Sequence, residues 1–559
     1  MSFSSMLSEK SKSKYSNYLI FVFFLSFFLI GLKIFKSFGL SIDEPFHRTA
    51  GYFWLYVLFK DISPSSNYLI YLKNLLDGME WSNDFLAGYY QSYGPIFDTL
   101  AAILEQAFNI KSDKGAFEFK HLLTFITFFI SGIYFFKLIN QRFNNKIFSI
   151  FLVFIYFSSP RIFSESFYNS KDITFMSFCI FSIFHYFSSF KENGLKHLIL
   201  FSFFAALATQ IRVMGILLIL FYISFVFWES LEDRKFFKNN YRKTLIATIL
   251  FFIFLYIFWP FLWNSPFSKF IEAFITFSNY NWGLDVFYLG NYISTDNLPW
   301  HYVIVWMFIT TPLIYTIFFL IGFFYILRVF FTNLVSLDKN SNNKLWINDN
   351  QKKDFFMIFF FLIPILSVIL FSSTLYGGWR HLYFVYPSLI YLVGIGVNYF
   401  YFKTKKFIST KVFAVLIFLF ILHSSYNLVR FHPYQNIYFN SIIKNNVSKF
   451  FEVDYWGLAN HEAIEFIISD GKKNNLKTIT IRTASFTPLE YSKKILDNVN
   501  TPRLIFQGTT HLDPQYIFTN FHYEKNPKYQ KKYKIPKNYQ EVFSVKRAGI
   551  LINKVYKKK

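Results

Sequence analysis

The sequence predicts a polytopic α-helical membrane protein, with interfacial helices in its first outer loop and a small α/β domain at its C-terminal end. Three observations carry this. Hydrophobic residues make up 53% of the 559 and charged residues only 16%, where soluble domains carry about 25% charged. Apolar runs able to cross a hydrocarbon core of about 30 Å recur along the chain. The loops between them alternate between short basic segments and longer ones rich in Trp, Tyr, Pro and Gly. The formal charge of +24 is spread over the short loops, where it orients a membrane chain, so no nucleic-acid partner is expected. The single cysteine, Cys179, excludes an intrachain disulfide and a cysteine metal cluster. The first apolar run is too long for a cleavable signal peptide and lacks a small-residue cleavage site.

In chain order, apolar runs occur near residues 17–38, 117–137, 147–160, 173–190, 197–211, 213–228, 244–260, 302–327, 355–373, 382–402 and 412–429. At about 20 residues per crossing this gives about eleven transmembrane helices. The basic loops hold Lys10, Lys12 and Lys14; Lys137, Arg142 and Lys146; Lys191 and Lys196; and Arg234, Lys235, Lys238, Arg242 and Lys243. The same set continues with Arg328, Lys339, Lys344, Lys352 and Lys353, then Lys403, Lys405, Lys406 and Lys411. Excess Lys and Arg marks the cytoplasmic side. An odd number of spans then places the N-terminus in the cytoplasm and everything after Arg430 outside.

Residues 41–114 form the first extracytoplasmic loop. Glu44–Lys60 and Asn67–Gly78 have apolar helical faces, and Pro95–Ile110 is an apolar run interrupted by Asp98, Glu105 and Gln106. That polarity argues against a lipid-facing span and for helices lying in the interface. After Arg430 the composition turns polar and Lys-rich, so residues 1–430 read as the membrane domain and 431–559 as the extracytoplasmic α/β domain. There, Asn460–Ser469 sets Ala463, Phe466 and Ile467 on one helical face, closed by Gly471 as a C-cap. Thr478–Arg482, Arg503–Phe506 and Tyr516–Thr519 read as strands, and Glu541–Lys546 with Ile550–Tyr556 as a hairpin about Ala548-Gly549.

Chemistry-bearing residues gather at the outer ends of the spans. Asp43-Glu44 opens the first outer loop. Adjacent carboxylates at a membrane surface are costly unless solvated, paired or metal-bound, and one could act as general base towards a hydroxyl or amine. Asp43 also suits a helix N-cap, with Pro45 in the first turn and Glu44 favoured by the helix dipole. His47, one turn on, either orients Glu44 or faces water. The third span ends in Ser158-Ser159-Pro160-Arg161, and the loop runs through Glu165, Tyr168, Asn169 and Lys171 to Asp172. Asp172 reads either as a second acid facing Asp43 across a cavity or as the cap of the next helix. Arg161 and Lys171 could neutralise a phosphate or snorkel to headgroups. Arg212, just after Gln210, offers the same choice between site cation and interface anchor. Tyr376-Gly377-Gly378-Trp379-Arg380-His381 is a tight outer turn whose glycines permit close backbone approach; Arg380 and His381 favour a phosphate or pyrophosphate. Leu298-Pro299-Trp300-His301-Tyr302 reads as an interfacial aromatic belt. The sequence has no P-loop and no His-Glu-x-x-His motif, so ATP-driven transport has no motor in this chain.

These residues carry a resemblance. An acidic pair just outside the first span, surface helices, a Ser-Pro end of the third span leading through Arg161 to Asp172, and a small outer domain resemble the GT-C membrane glycosyltransferases. That group includes protein O-mannosyltransferases, the lipid A aminoarabinose transferase and the bacterial family 39 glycosyltransferases. The resemblance is strongest over residues 1–230, weaker at Gly377–His381 and weakest in the tail. It implies a GT-C-like fold in a bacterial inner membrane. It also implies sugar transfer from a polyprenyl-phosphate-linked donor to a lipid, glycan or protein acceptor at the outer face. By the same resemblance Asp43 is the base, with Glu44 beside it and Asp172 as a further acidic site residue. His47, Arg161, Lys171, Arg212, Arg380 and His381 are the expected substrate or phosphate ligands, and cations among them would meet the charge on departing polyprenyl phosphate. A divalent metal held by Asp43, Glu44 and Asp172 stays open. Many relatives follow the acidic pair with a small residue and Tyr; Pro45-Phe46-His47 here leaves open which carboxylate acts.

A transporter or flippase of a lipid-linked glycan is the competing reading. It should place ionisable groups near mid-membrane, often in two matching halves, whereas the charges here gather at the outer rim and no half-repeat is evident. A receptor or scaffold would leave the outer acids dispensable.

Overall fold

A computed structural model describes residues 9–88, 90–191, 194–278, 283–337, 344–443, 447–496, 502–508 and 513–559. Helix is found at every predicted span. Among the described residues, nine helices are long and apolar enough to cross a membrane, or ten if the bent pair Lys146–Ser158 and Pro160–Tyr168 makes one span. The chain is a multi-pass membrane protein. The expected count of about eleven is therefore lowered. The run near 173–190 is helix Ser170–Ser188, buried along almost its whole length. Protein rather than lipid surrounds it, which is how it accommodates Asp172, Ser177, Ser182 and His185.

The expected span 302–327 is broken. Helix Tyr302–Thr310 stops at Thr311, which is extended at φ −99° and ψ 139°, and helix Leu313–Leu337 follows. Pro312 lacks an N–H and disfavours helix in the residue before it. Asn440, from beyond the last span, serves the carbonyls this frees: its Nδ2 donates to Phe308 O at 2.7 Å and Thr311 O at 3.1 Å.

Helices Leu313–Leu337 and Tyr386–Thr404 approach at Gly322 and Gly396. A Cβ at Gly322 would lie 2.0 Å from Leu392 O, and one at Gly396 would lie 1.9 Å from Phe318 O. Small residues give membrane helices such contacts. Gly396→Val is expected to destabilise the protein by about 1–3 kcal/mol, read as a lower thermal midpoint in detergent; an unchanged midpoint would refute the close contact.

Basic-loop residues meet at one end of the bundle. Arg142 makes a two-pronged pair with Asp354, 2.7 Å in each arm, and Tyr391 donates to the same carboxylate at 2.5 Å; Lys352 pairs with Glu229. Lys339 lies outside the described residues, as do the side chains of Lys10, Lys12 and Lys14.

At the other end, helices Glu44–Ile62, Asn67–Asp77 and Ile96–Ala107 pack on a cluster of their own that includes Phe53, Trp54, Leu72 and Phe85. Ile96–Ala107 turns its charges inward: Asp98 pairs with Lys120 at 2.7 Å and Glu105 with Arg48 at 2.6 Å. Its Leu100 and Ile103 face outward, 50% and 45% exposed, the orientation of a helix lying on apolar surroundings.

A hairpin of β1 (Asp285–Tyr288) and β2 (Asn291–Ser294) precedes the broken helix. The C-terminal sheet comprises β3 (Thr478–Thr483), β4 (Arg503–Gln507), β5 (Tyr516–Thr519), β6 (Tyr539–Arg547) and β7 (Ile550–Lys558). Its order is β4-β3-β5-β7-β6, parallel across the first three and antiparallel across the rest. Helix Asn460–Lys473 covers it, with Ala463 and Ile467 in its core. Gly471 is not the C-cap: the helix runs through it to a cap at Asn474. A Cβ at Gly471 would stand 2.2 Å from Ile479 Cδ1, so this glycine serves helix–sheet contact. Before the sheet, Tyr434, Ile437, Phe451, Trp456 and Leu458 join the large core of the membrane bundle.

Candidate active site

Asp43 occupies the N-cap position of helix Glu44–Ile62, but its side chain makes no capping hydrogen bond. Its Oδ2 accepts from Arg380 Nη1 at 2.8 Å instead. Glu44 turns the other way and is fully buried. Its Oε2 accepts from Ser41 N at 2.7 Å, and its Oε1 lies 2.8 Å from His121 Nε2. His47 neither orients Glu44 nor faces water; it is buried, with Nδ1 3.5 Å from Asp98 Oδ2. Burial alone would raise the Asp98 carboxyl, but Lys120 and His47 outweigh it and hold it down to about 2.

The chain bends by 67° after Ser158, at a proline that has no N–H to continue the helix. The short helix Pro160–Tyr168 then leads to Asn169, whose Oδ1 accepts from Asp172 N at 3.1 Å. Asn169 is therefore the cap of helix Ser170–Ser188, and Asp172 is not. The Asp172 carboxylate is free to accept from Arg212 Nε at 2.7 Å and Asn169 Nδ2 at 2.9 Å. Its Oδ2 lies 3.6 Å from Arg380 Nη1. One guanidinium thus joins Asp43 and Asp172. Asn169 also donates to Glu165 at 2.8 Å, and Tyr383 donates to that carboxylate at 2.7 Å.

Arg380 owes its position to the turn before it. Gly377 and Gly378 take φ of +66° and +76°, a region open to glycine, and Trp379 Nε1 is anchored on Thr310 Oγ1 at 2.9 Å. Rings of Tyr376, Tyr455 and Trp456 stand 4.8, 5.1 and 4.8 Å from the guanidinium, and Nη2 donates to Tyr455 Oη at 3.3 Å. His381 packs edge-on against Tyr376 at 4.7 Å.

The other expected cations flank this cluster. Lys171 sits 3.6 Å over the Tyr93 ring in a small pocket that His47, Asp98 and Ile211 also line. Arg161 points elsewhere: Nε donates to Tyr438 O at 3.1 Å, and the guanidinium lies 5.3 Å from Trp306 and 4.6 Å from Phe439. It lines a second, water-sized pocket with Trp306, Asn436, Glu452, Tyr455 and Trp456.

The three carboxylates considered for a metal do not converge. Arg380 stands between Asp43 and Asp172, and Glu44 is committed to His121. Among the described residues no group of three or more His, Cys, Asp or Glu could hold an ion. This donor set does not fit a divalent cation.

The run Glu452-Val453-Asp454-Tyr455-Trp456-Gly457 was not singled out from sequence. Asp454 accepts from Asn436 Nδ2 at 2.9 Å and Gly457 N at 3.1 Å, and burial lifts its carboxyl to about 6 despite these donors. Burial lifts Glu452 to about 7 against the pull of Arg161 and Arg380. Tyr455, Trp456 and Gly457 share the aromatic-and-glycine makeup of the Tyr376–Arg380 turn, and that was the available signal.

The family described as dolichyl-phosphate-mannose-protein mannosyltransferase matches residues 107–261, a stretch holding Arg161, Lys171, Asp172 and Arg212. Over that stretch the match agrees with the resemblance read from the sequence. No curated protein matches. Among solved structures the chain is similar to ArnT from Cupriavidus metallidurans in the apo state, at 9% identity and TM-score 0.46, over 97% of this chain and 98% of that one. It is similar to the same protein bound to undecaprenyl phosphate at 9% identity and TM-score 0.43, over 97% and 98%. It is also similar to the Archaeoglobus fulgidus oligosaccharyltransferase in complex with Zn and sulfate, at 12% identity and TM-score 0.44. That match covers 84% of this chain but 65% of the other, so the chain spans just under two thirds of that protein's length.

Proposed function

We propose that the protein is a membrane glycosyltransferase that moves a sugar from a polyprenyl-phosphate-linked donor to an acceptor hydroxyl or amine at the outer face of the membrane. The observation that carries this reading is the Asp43–Arg380–Asp172 bridge at one end of the bundle. A tethered donor keeps its tail in lipid and its phosphate at headgroup level, where such a cluster can meet it. Asp43 is the base. Its carboxylate is 28% exposed, while that of Glu44 is 1% exposed, and only an accessible oxygen can take the acceptor's proton. As that proton leaves, the acceptor atom bonds to the anomeric carbon. The bond from that carbon to the phosphate oxygen breaks, and polyprenyl phosphate departs with the electron pair. Lys171 and Arg212 are the cations proposed to meet its charge, and Asp172 holds Arg212 and Arg380 in place.

The proposed orientation has the N-terminus in the cytoplasm and the sheet domain outside, supported by the pairing of basic-loop residues at the opposite end of the bundle. The test is to incubate the purified protein with labelled polyprenyl-phosphate hexoses and pentoses and candidate protein, lipid and glycan acceptors. Label is expected to pass from one donor to one acceptor class. Failure with the whole panel, or accessibility labelling that puts Asp43 in the cytosol, would refute the reading.

A further inference from the structure

The sheet domain carries a charge that the proposed reaction does not use. Residues 431–559 contain 21 Lys and Arg against 10 Asp and Glu. Four cations on β6 and β7 find acids: Lys554 pairs with Glu541, Lys557 with Asp470 and Lys558 with Asp513, each at 2.6 Å, and Arg547 with Glu462 at 3.4 Å. The segment between β5 and β6 differs. Lys525, Lys528, Lys531, Lys532, Lys534 and Lys537 fall within thirteen positions, and no Asp or Glu lies between Glu524 and Glu541. All six are exposed, and only Lys528 makes an ion pair among the described residues, with Asp285 of β1 at 3.0 Å. Membrane topology does not ask for them, since Lys and Arg orient a span only within about 15–20 residues of its end.

The fold gathers these like charges instead of letting them spread. Asn526 Nδ2 donates to Asp285 Oδ2 at 3.0 Å, and Tyr523 Oη to Asp285 O. At the other end Arg482 Nη2 donates to Lys534 O at 2.8 Å, and Tyr539 Oη to Pro514 O. Between these anchors, Tyr529 N donates to Asn526 O at 2.9 Å and Tyr533 N to Tyr529 O at 3.0 Å. The rings of Tyr523, Tyr529 and Tyr533 follow one another at 5.5 and 6.0 Å. Tyr533 is buried and Tyr529 half-buried.

This arrangement selects a partner class. A segment that enters a bilayer surface needs exposed apolar side chains beside its cations, and one that binds single-stranded nucleic acid needs open rings for stacking. A protein partner favours an aromatic or Arg-rich centre. Here the rings turn into the domain, and the six cations are all Lys, hydrated point charges without the planar fork that grips one carboxylate or phosphate. Such a surface suits anionic groups repeated along an extended hydrophilic chain. Asp285 seats the loop on the β1–β2 hairpin, which leads into helix Tyr302–Thr310, whose Thr310 anchors Trp379 beside Arg380.

We propose that the loop of residues 525–537 docks an anionic glycan polymer. The docking stands apart from the reaction; that the docked polymer is the sugar acceptor rests on the glycosyltransferase reading.

Binding is measured with the full-length protein in phosphatidylcholine nanodiscs, using polygalacturonate, polyglutamate of matched length and neutral dextran, and by co-flotation with phosphatidylglycerol vesicles. Polygalacturonate is expected to bind at least about tenfold more tightly than dextran at low salt and to weaken steeply as salt rises. The triple variant Lys531→Gln, Lys532→Gln, Lys534→Gln should lower that affinity about tenfold and flatten its salt dependence, with a melting midpoint no lower than wild type. Lys528 is kept because it seats the loop. The control Lys472→Gln, Lys473→Gln, Lys477→Gln removes the same charge from the same domain and should change affinity by less than about twofold. No preference for polygalacturonate over dextran, equal losses in the two triple variants, tighter binding of polyglutamate, or binding to the vesicles alone would each overturn the proposal. Binding is read without turnover, so a protein that docks the polymer yet transfers no sugar counts against the reaction and not against the loop.

Discussion

Asp43→Asn is expected to lower sugar transfer by about 10²–10⁴-fold, the range for loss of a general base, with normal abundance in the membrane. The amide is isosteric, and its oxygen can still accept from Arg380 Nη1, now at 2.8 Å, so the turn and the bridge should survive. What is lost is a group able to take a proton. Glu44 cannot substitute, because both its oxygens are engaged inside the protein. Glu44→Gln is therefore expected to leave the chemical step nearly intact while weakening the His121 contact and lowering thermal stability. Initial rates at saturating donor, measured beside melting curves of each variant, separate the two. An Asp43→Asn protein with full activity, or a Glu44→Gln protein that folds normally and is inactive, would move the base away from Asp43.

The sequence could not choose between those carboxylates, for a physical reason. Adjacent residues at a helix start point in different directions, and the direction depends on partners far along the chain: Arg380 for Asp43 and His121 for Glu44. What was legible was depth. Asp43, Asp172, Arg212 and Arg380 each sit where an apolar run meets a polar loop, so alternating crossings had to bring them to one end, and in the structure they touch. The strands of the tail were legible for a similar local reason, since β-branched and aromatic runs stand between turn residues, with positive φ at Ala548 and Gly549. Asp172 was ambiguous because a helix start offers several residues for capping; Asn169 took that role and freed the acid. Arg161 reads from sequence as a phosphate ligand, yet the bend at Pro160 turns it towards Trp306. Glu452 stayed hidden because it follows the last span in a Lys-rich stretch where composition indicates solvent, and only tertiary packing buries it. Gly471 was misplaced because a helix-ending glycine and a helix-packing glycine look alike until the sheet is present.

Arg380→Ala is expected to remove activity and also to cost about 3 kcal/mol of stability, the lower end of the range for breaking a buried ion pair from one side. The lower end applies because Asp172 keeps Arg212 at 2.7 Å and the Asp43 side chain is 28% exposed. The guanidinium nonetheless reaches two carboxylates and a phenol within a cage of three aromatic rings. Arg380→Lys distinguishes charge from shape. An ammonium restores the positive charge but lacks the planar fork, so it cannot serve Asp43, Asp172 and Tyr455 together. The lysine variant is expected to fold nearly as well as wild type yet transfer sugar about a hundredfold more slowly, because the base is no longer held towards its substrate. Adding Asp43→Asn to Arg380→Ala should return part of the lost stability, since the carboxylate left unpaired is then neutral, while activity stays absent. Thermal midpoints for the four proteins form a double-mutant cycle whose coupling measures the bridge. Additive midpoints, together with a fully active lysine variant, would show that Arg380 neither pairs with Asp43 nor orients it.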